Sequence, residues 1–336
     1  MKKKILICGA TGFIGRNLIE DLSKNKNNKI YATFNKRKKQ NLKNVTWVKG
    51  DLRNDDFSKR ITKNIDIVIQ AAATSTGSKD VVLRPYLHVT DNAVMNAYLF
   101  RNSYLNKVKH VIFFSCTTMY KSSKKPVKEN EFNSIKDIVP KYFGCGTTKV
   151  YNEAMCEFFS RIGGTKFTVI RHSNVYGPYD KYDLERSHVF GATITKVMKA
   201  KDEVIVWGKG TEERDLVHVD DLVNFVKLSI AKQKKKFRLL NCGAGYSISI
   251  GNLVKKIIKI SNKKLKIKYD LTKPTIPFVL SVNCNIAKKE LGWKPKISLE
   301  NGVKILLENI DYWKEAPVWD EKSIAKATKK WFEHLS

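Results

Sequence analysis

The sequence predicts an α/β fold, a doubly wound parallel sheet with a smaller mixed C-terminal domain. Three features of the chain carry this expectation. Apolar runs of four to six residues recur through the first half, separated by segments of helical pattern. A glycine-rich turn, Gly9-Ala10-Thr11-Gly12-Phe13-Ile14-Gly15, joins the first run to the first helix. After Arg171 the rhythm breaks into loops, Trp and Gly-rich turns. Strands apolar along their whole length are covered on both faces, which calls for a parallel sheet with helices on either side.

The elements follow in order. Residues 4–8 (KILIC) form the first strand, and the helix after the glycine turn runs to about residue 23. Residues 29–34 (KIYATF), 46–49 and 65–70 (IDIVIQ) are the next three strands. A helix over 91–105 leads to a strand over 111–115 (VIFFS), and a helix over 148–162 to a strand over 167–171 (FTVIR). Asn92 stands where the first of these helices opens, the position of an N-terminal cap. Residues 121–137 are a polar insertion, expected as a surface loop. The segments 217–232 and 238–241 return to the first domain as a helix and a strand. The division is therefore 1–170 with 217–242, against 171–216 with 243–336. The tail 311–336, with Trp313, Trp319 and Trp331, has an amphipathic pattern and is expected to fold back on the core.

Composition narrows the class. The chain has 336 residues, 42% of them hydrophobic, with 18 Gly and 8 Pro, which excludes a disordered, collagen-like or low-complexity protein. No apolar run approaches the roughly 18–20 residues of a membrane span, and the stretch after MKKK is too short for a secretory signal. Six cysteines without close pairing fit reduced thiols, so a cytoplasmic protein without membrane partner is expected. The net charge of +31 raises the question of nucleic acid, but only 11 of the 63 basic residues are Arg and the lysines are spread along the chain. Specific nucleic-acid readers concentrate Arg and stacking aromatics in one patch, so no nucleic-acid partner is expected. A basic field steers a doubly charged small substrate equally well.

The glycine turn lies between a strand and a helix, where its spacing has a mechanical meaning. Gly9 permits the tight turn, Gly12 lets backbone approach a pyrophosphate, and Gly15 allows close helix–strand packing. Thr11, Phe13 and Ile14 complete a cradle at the positive end of the helix. This is the signature of a Rossmann-type dinucleotide domain, and the cofactor is NAD or NADP. After the second strand a carboxylate would hold the ribose hydroxyls of NAD. The chain instead has Asn35, Lys36 and Arg37, with Arg16 behind the last glycine, and cations there neutralise a 2′-phosphate, which favours NADP. Asp51 and Leu52 are placed to meet the adenine edge, and Ala71, Ala72 and Ala73 let backbone pass close to the dinucleotide.

GATGFIG, GDLRN at 50–54, AAA at 71–73 and NVYGP at 174–178 together resemble the extended short-chain dehydrogenase/reductases acting on nucleotide sugars. The resemblance runs from Lys4 to about Pro295. Within that family Ser173–Pro178, Ser187-His188-Val189, Val206–Gly210 and Arg214–Asp221 are most similar to the branch of GDP-L-fucose synthase-like epimerase/reductases. The resemblance implies hydride transfer to or from C4 of a nucleotide-linked sugar, GDP-linked by the branch likeness, in polysaccharide synthesis. It also implies a homodimer built on the helices near 91–105 and 148–162. Asn174 and Arg214 would hold the sugar nucleotide, Trp207 would border its base or ribose, and Asn92 would face the cleft.

Family enzymes use a Tyr-x-x-x-Lys helix and a Ser or Thr at the end of the fifth strand, the Lys binding ribose and lowering the Tyr pKa. Here Lys149 fits the family Lys, but Cys145 stands four residues before it. Counting back from Tyr120, the family Ser/Thr position is Cys116. Three readings stand. Cys145 is the acid/base, because an unperturbed thiol (pKa about 8.5) ionises below a phenol (about 10) and Lys149 would lower it further. Tyr142, or Thr117, reaches the sugar in its place. Or the protein binds its ligands without turning over, as a sensor of NADP(H). His188 matches the family's epimerisation acid, while the partner Cys of that pair falls at Thr118. With Val189, these residues complete the expected substrate contacts. A C4 dehydrogenase or epimerase that retains NAD is the alternative enzyme. The other histidines lack metal-ligand spacing, so no metal is expected.

Overall fold

The computed structural model describes residues 2–37, 39–74, 86–180, 188–273 and 278–309. Its first six strands are β1 (Lys3–Cys8), β2 (Asn28–Phe34), β3 (Val45–Lys49), β4 (Ile67–Gln70), β5 (His110–Cys116) and β6 (Lys166–His172). Seven shorter or later ones follow: β7 (Asn174–Tyr176), β8 (Glu203–Trp207), β9 (Glu213–Arg214), β10 (Leu216–His218), β11 (Phe237–Cys242), β12 (Ile248–Ser249) and β13 (Lys266–Asp270). Seven strands build one parallel sheet in the order β11-β6-β5-β4-β1-β2-β3. The order reverses between β1 and β4, and the crevice at the carboxyl ends of these two strands is where open α/β sheets bind ligands.

Alternation along each strand feeds two cores. Ile5 and Ile7 of β1 pack with α1 (Phe13–Leu22), α6 (Val219–Lys232) and α8 (Asn285–Leu291) through Leu18, Phe225 and Leu291. Leu6 and Cys8 point the other way, into a cluster with α2 (Asp55–Thr62), α3 (Tyr86–Leu105) and α4 (Phe143–Ile162) through Phe57, Phe100 and Cys156. A third cluster joins α5 (Val189–Lys199), α7 (Ile250–Ile260) and α9 (Leu299–Glu308) to β8 through Phe190, Leu253, Val303 and Val206. Among the described residues no helix is long and apolar enough to cross a membrane.

The predicted strands lie within a residue or two of those observed, but three local expectations change. Helix α3 extends back to Tyr86, so Asn92 is inside it and caps nothing. Its amide instead donates to the carbonyls of His88 (2.8 Å) and Thr74 (3.1 Å) and accepts from the Thr74 N–H (2.9 Å), clamping the segment after β4. Helix α4 begins at Phe143, five residues earlier than the periodicity suggested, which brings Tyr142 to its N-cap. The 121–137 insertion is not a free surface loop. Ser123 N donates to Val279 O, Val127 N to Ser281 O, and Asn283 N to Val127 O, and Val127 and Glu129 are buried. The tail carrying Trp313, Trp319 and Trp331 lies outside the described residues.

Candidate active site

The glycine turn has the geometry its spacing requires. Gly9 sits at φ +72°, and a Cβ there would stand 2.5 Å from Ala72 Cα, so both conformation and the closeness of the 71–73 backbone demand glycine. A Cβ on Gly15 would come within 2.2 Å of Gly9 O, which makes helix α1 and the turn inseparable. Gly12 is the N-cap of α1 with no side-chain cap, leaving the first amides of Phe13 and Ile14 without a side-chain partner at the positive helix end. That cradle fits a dinucleotide pyrophosphate. The Ala72 N–H donates to Gln70 Oε1 (3.2 Å), whose amide is held by Asn96 (2.7 Å), fixing the second wall.

At the adenosine end Asn35, Lys36 and Arg37 follow β2 and are exposed. Asp51 pairs with Arg53 at 2.6 Å, and Arg53 reaches on to Asp91 of α3 at 2.9 Å. The Arg53 hydrogen bonds hold the Asp51 carboxyl below the usual carboxylate range, with the Asn35 side chain contributing. Leu52 is a core residue, packed in the cluster of Phe57 and Ile61. Arg16 is directed elsewhere than expected: its guanidinium lies 3.5 Å from the centroid of the Tyr179 ring and its Nε pairs with Glu20 (2.9 Å).

The candidate catalytic corner is assembled from α4, the end of β5 and the end of β6. Lys149 Nζ donates to Phe114 O (2.7 Å). The Cys145 thiol donates to Tyr142 O (3.4 Å), a contact that turns it toward its own helix start. Burial pushes that thiol up to about 11, reinforced by Cys116 and only partly offset by Lys149. Lys149 does lower the thiol as expected, but desolvation of the thiolate outweighs that one ammonium and the net shift is upward. Tyr142 enters the same space from the N-cap. Burial raises its phenol, Arg214 pulls it down, and Cys145 and Cys116 add to the rise. Cys116 Sγ lies 2.9 Å from Thr118 Oγ1. Thr117 is buried, at 4% exposure, which removes it from the open cleft. His172 completes the corner. Its Nδ1–H donates to Ser173 O (2.8 Å), and burial lowers its pKa to about 4, with Lys149 and His188 adding to the fall, so it is neutral at pH 7.

The second wall carries the remaining candidates. Asn174 Nδ2 donates to Asp215 O (3.3 Å), and Arg214 is anchored on the carbonyls of Glu213 and Phe278, both at 2.9 Å. His188 is the exposed N-cap of α5, and Val189 its first residue. Trp207 ends β8, and Lys196 lies over its ring at 4.9 Å. Burial lowers the Lys196 ammonium to about 8. The Tyr142 phenol thus lies within electrostatic reach of Arg214, Cys145 and Cys116, and His172 within that of Lys149 and His188. Sequence reasoning missed Arg53, His172 and Lys196. The spacing of Val189, Thr193 and Lys196 on one helix face was the available signal for the last.

A model of the NAD dependent epimerase/dehydratase family matches residues 5–243. The chain is 25% identical to GDP-L-colitose synthase of Yersinia pseudotuberculosis, over 89% of this chain and 95% of that one. It is 26% identical to GDP-L-fucose synthase of Escherichia coli K12, over 92% and 98%. Among solved structures, UDP-glucose 4-epimerase of Thermotoga maritima with UDP-glucose superposes with a TM-score of 0.81 at 25% identity, covering 92% of this chain and 98% of that one.

Proposed function

The chain belongs to the NAD dependent epimerase/dehydratase family, an NAD(P)-dependent nucleotide-sugar enzyme, and from that premise we propose that it reduces C4 of a GDP-linked 4-keto sugar with Tyr142 as the proton donor. What supports this reading is that Arg214, Cys145 and Cys116 all act electrostatically on the Tyr142 phenol, while the Cys145 thiol is turned onto the Tyr142 carbonyl at 3.4 Å. A cysteine at 145 is about a phenol ring shorter, so the phenol arriving from the helix N-cap supplies the missing hydroxyl.

In this reading the amides at the start of α1 hold the pyrophosphate, the 71–73 backbone flanks it, and Lys36 and Arg37 face a 2′-phosphate, which favours NADP. The bound cofactor supplies the hydride. Arg214 neutralises the substrate diphosphate, and Trp207 with Lys196 meets the base. Tyr142 Oη gives its proton to the sugar oxygen as negative charge develops there, and Arg214 favours the phenolate left behind. Lys149, released from Phe114 O, orients ribose. Neutral His172 presents Nε2 as an acceptor, since Nδ1 is committed to Ser173 O. His188 serves any proton exchange at the neighbouring carbons. Relatives named as GDP-sugar synthases support the GDP base.

We also place the boundary between cofactor and sugar-nucleotide domains as 1–170 with 217–242 against 171–216 with 243–336, and assign a homodimer. Val94 and Leu105 of α3 and Tyr151, Phe158 and Ile162 of α4 are exposed, an apolar surface on two adjacent helices suited to a second copy. The reductase reading is tested by following NADPH absorbance with a GDP-linked 4-keto-6-deoxyhexose. Stoichiometric NADPH loss supports it. No loss, together with NAD(H) retained on the purified protein, replaces it with the alternative that holds NAD and recycles it at C4.

A further inference from the structure

Behind the catalytic corner lies a buried polar network that neither the cofactor nor the sugar is assigned to touch. Arg171 of β6 and Glu153 of α4 form a two-pronged pair, Nη2 to Oε2 at 2.6 Å and Nε to Oε1 at 3.0 Å, with side chains 5% and 9% exposed. Ser115 Oγ donates to Glu153 Oε1 at 2.5 Å. Arg171 Nη1 donates to the Tyr120 hydroxyl (3.0 Å) and to Glu129 O (3.2 Å), and the Tyr120 hydroxyl donates to Asn241 Oδ1 (2.8 Å). The Asn241 amide then donates to Val127 O (3.0 Å) in the 121–137 segment.

The members are each one step from the site. Ser115 precedes Cys116, Arg171 precedes His172, and Glu153 follows Lys149 by one helical turn. A forked guanidinium–carboxylate pair fixes orientation as well as distance. Its stabilising value is small, because desolvating both ions offsets most of their attraction, and apolar pairs of similar volume often replace such pairs without loss of stability. Stability therefore does not account for it, whereas the alignment of three site-bearing elements does. We propose that Glu153 and Arg171, with Ser115, are positioning residues that hold α4 in register with the ends of β5 and β6 for hydride transfer. This rests on the oxidoreductase reading above.

The test uses Glu153→Gln, Ser115→Ala and the double variant Glu153→Met/Arg171→Met in the full chain. Misplacing reacting groups by about 1 Å costs on the order of 100-fold, so Glu153→Gln is expected to lower single-turnover hydride transfer roughly 30–100-fold. Cofactor affinity and the KM for the sugar nucleotide should stay within about threefold, and Ser115→Ala, which leaves the ion pair intact, should lose roughly 5-fold. In the double variant, which leaves no buried charge unpaired, the melting temperature should recover part of what Glu153→Gln loses while the rate stays low. A rate that recovers with the melting temperature would show a structural role only and overturn the proposal. Should Glu153→Gln fail to fold, Ser115→Ala and the double variant decide. Absence of turnover in the unaltered protein would reject the parent reading instead. The alkylation rates of Cys116 and Cys145 by iodoacetamide then report the same geometry without substrate, and rates unchanged in folded variants overturn the positioning role.

Discussion

Replacing Tyr142 by Phe removes one oxygen from the catalytic corner and leaves the ring to fill its space. Two groups compete to be the proton donor, and their surroundings separate them. Burial raises both groups, the Cys145 thiol to about 11 and the Tyr142 phenol above its ordinary value, so both carry their proton at neutral pH and ionisation does not separate them. Direction does: the Cys145 proton faces Tyr142 O at 3.4 Å. Arg214 opposes the rise at Tyr142 and so favours the phenolate left after proton transfer. General acid catalysis contributes about 10²–10⁴-fold, so Tyr142→Phe should lower kcat by about 1000-fold, or about 4 kcal/mol of barrier at 1.36 kcal/mol per factor of ten. Cys145→Ala should change kcat less than about threefold, since it deletes a group outside the proton path. Cofactor affinity, read by quenching of tryptophan fluorescence, should be unaltered in both variants. Adding Cys145→Tyr to Tyr142→Phe should restore much of the rate, because a phenol then arrives from the next helical turn. The reasoning is refuted if Cys145→Ala is the damaging change and Tyr142→Phe is mild.

The remaining expectations concern cofactor, substrate and assembly. Lys36→Ala with Arg37→Ala should weaken NADP(H) at least 10-fold and NAD(H) less than about twofold, measured by fluorescence titration, because only the 2′-phosphate loses its countercharge. Lys196, lowered by burial to about 8, is charged below that pH and neutral above it, so the KM for the sugar nucleotide should rise as pH climbs through about 8. Lys196→Met should raise KM at neutral pH and remove that inflection from the KM profile. Phe158→Glu, which places a charge in the exposed apolar surface of α3 and α4, should give a monomer in sedimentation analysis while cofactor binding persists.

The sheet was legible because its central strands carry unbroken apolar runs, such as Val111–Phe114 of β5. Ile67–Gln70 of β4 is buried throughout, and such a run has no other home than between two helical layers. The glycine turn was legible for a related reason, since each of its glycines answers a close approach that the strand–helix junction imposes. The 121–137 segment was not. Its ladder partners, Val279, Ser281 and Asn283, lie about 150 residues away, and nothing local in a polar stretch announces a distant edge. Helix α3 was cut short because Tyr86–Thr90 shows no apolar stripe. The site divides the same way. Lys149 and the two thiols were visible from spacing on one helix and one strand end. The raised thiol of Cys145, the neutral His172 and the approach of Arg214 to Tyr142 depend on burial and on chain segments far apart in sequence.

The central claim, that this chain reduces a sugar carbon with Tyr142 as acid, is tested most directly by isotope transfer. NADPH carrying deuterium at nicotinamide C4 would be incubated with a GDP-linked 4-keto-6-deoxyhexose, and the product sugar read by proton and deuterium NMR. The account predicts deuterium at sugar C4 in the unaltered protein and its loss in Tyr142→Phe. Deuterium retained on the cofactor, or label at C4 undiminished in Tyr142→Phe, would contradict it.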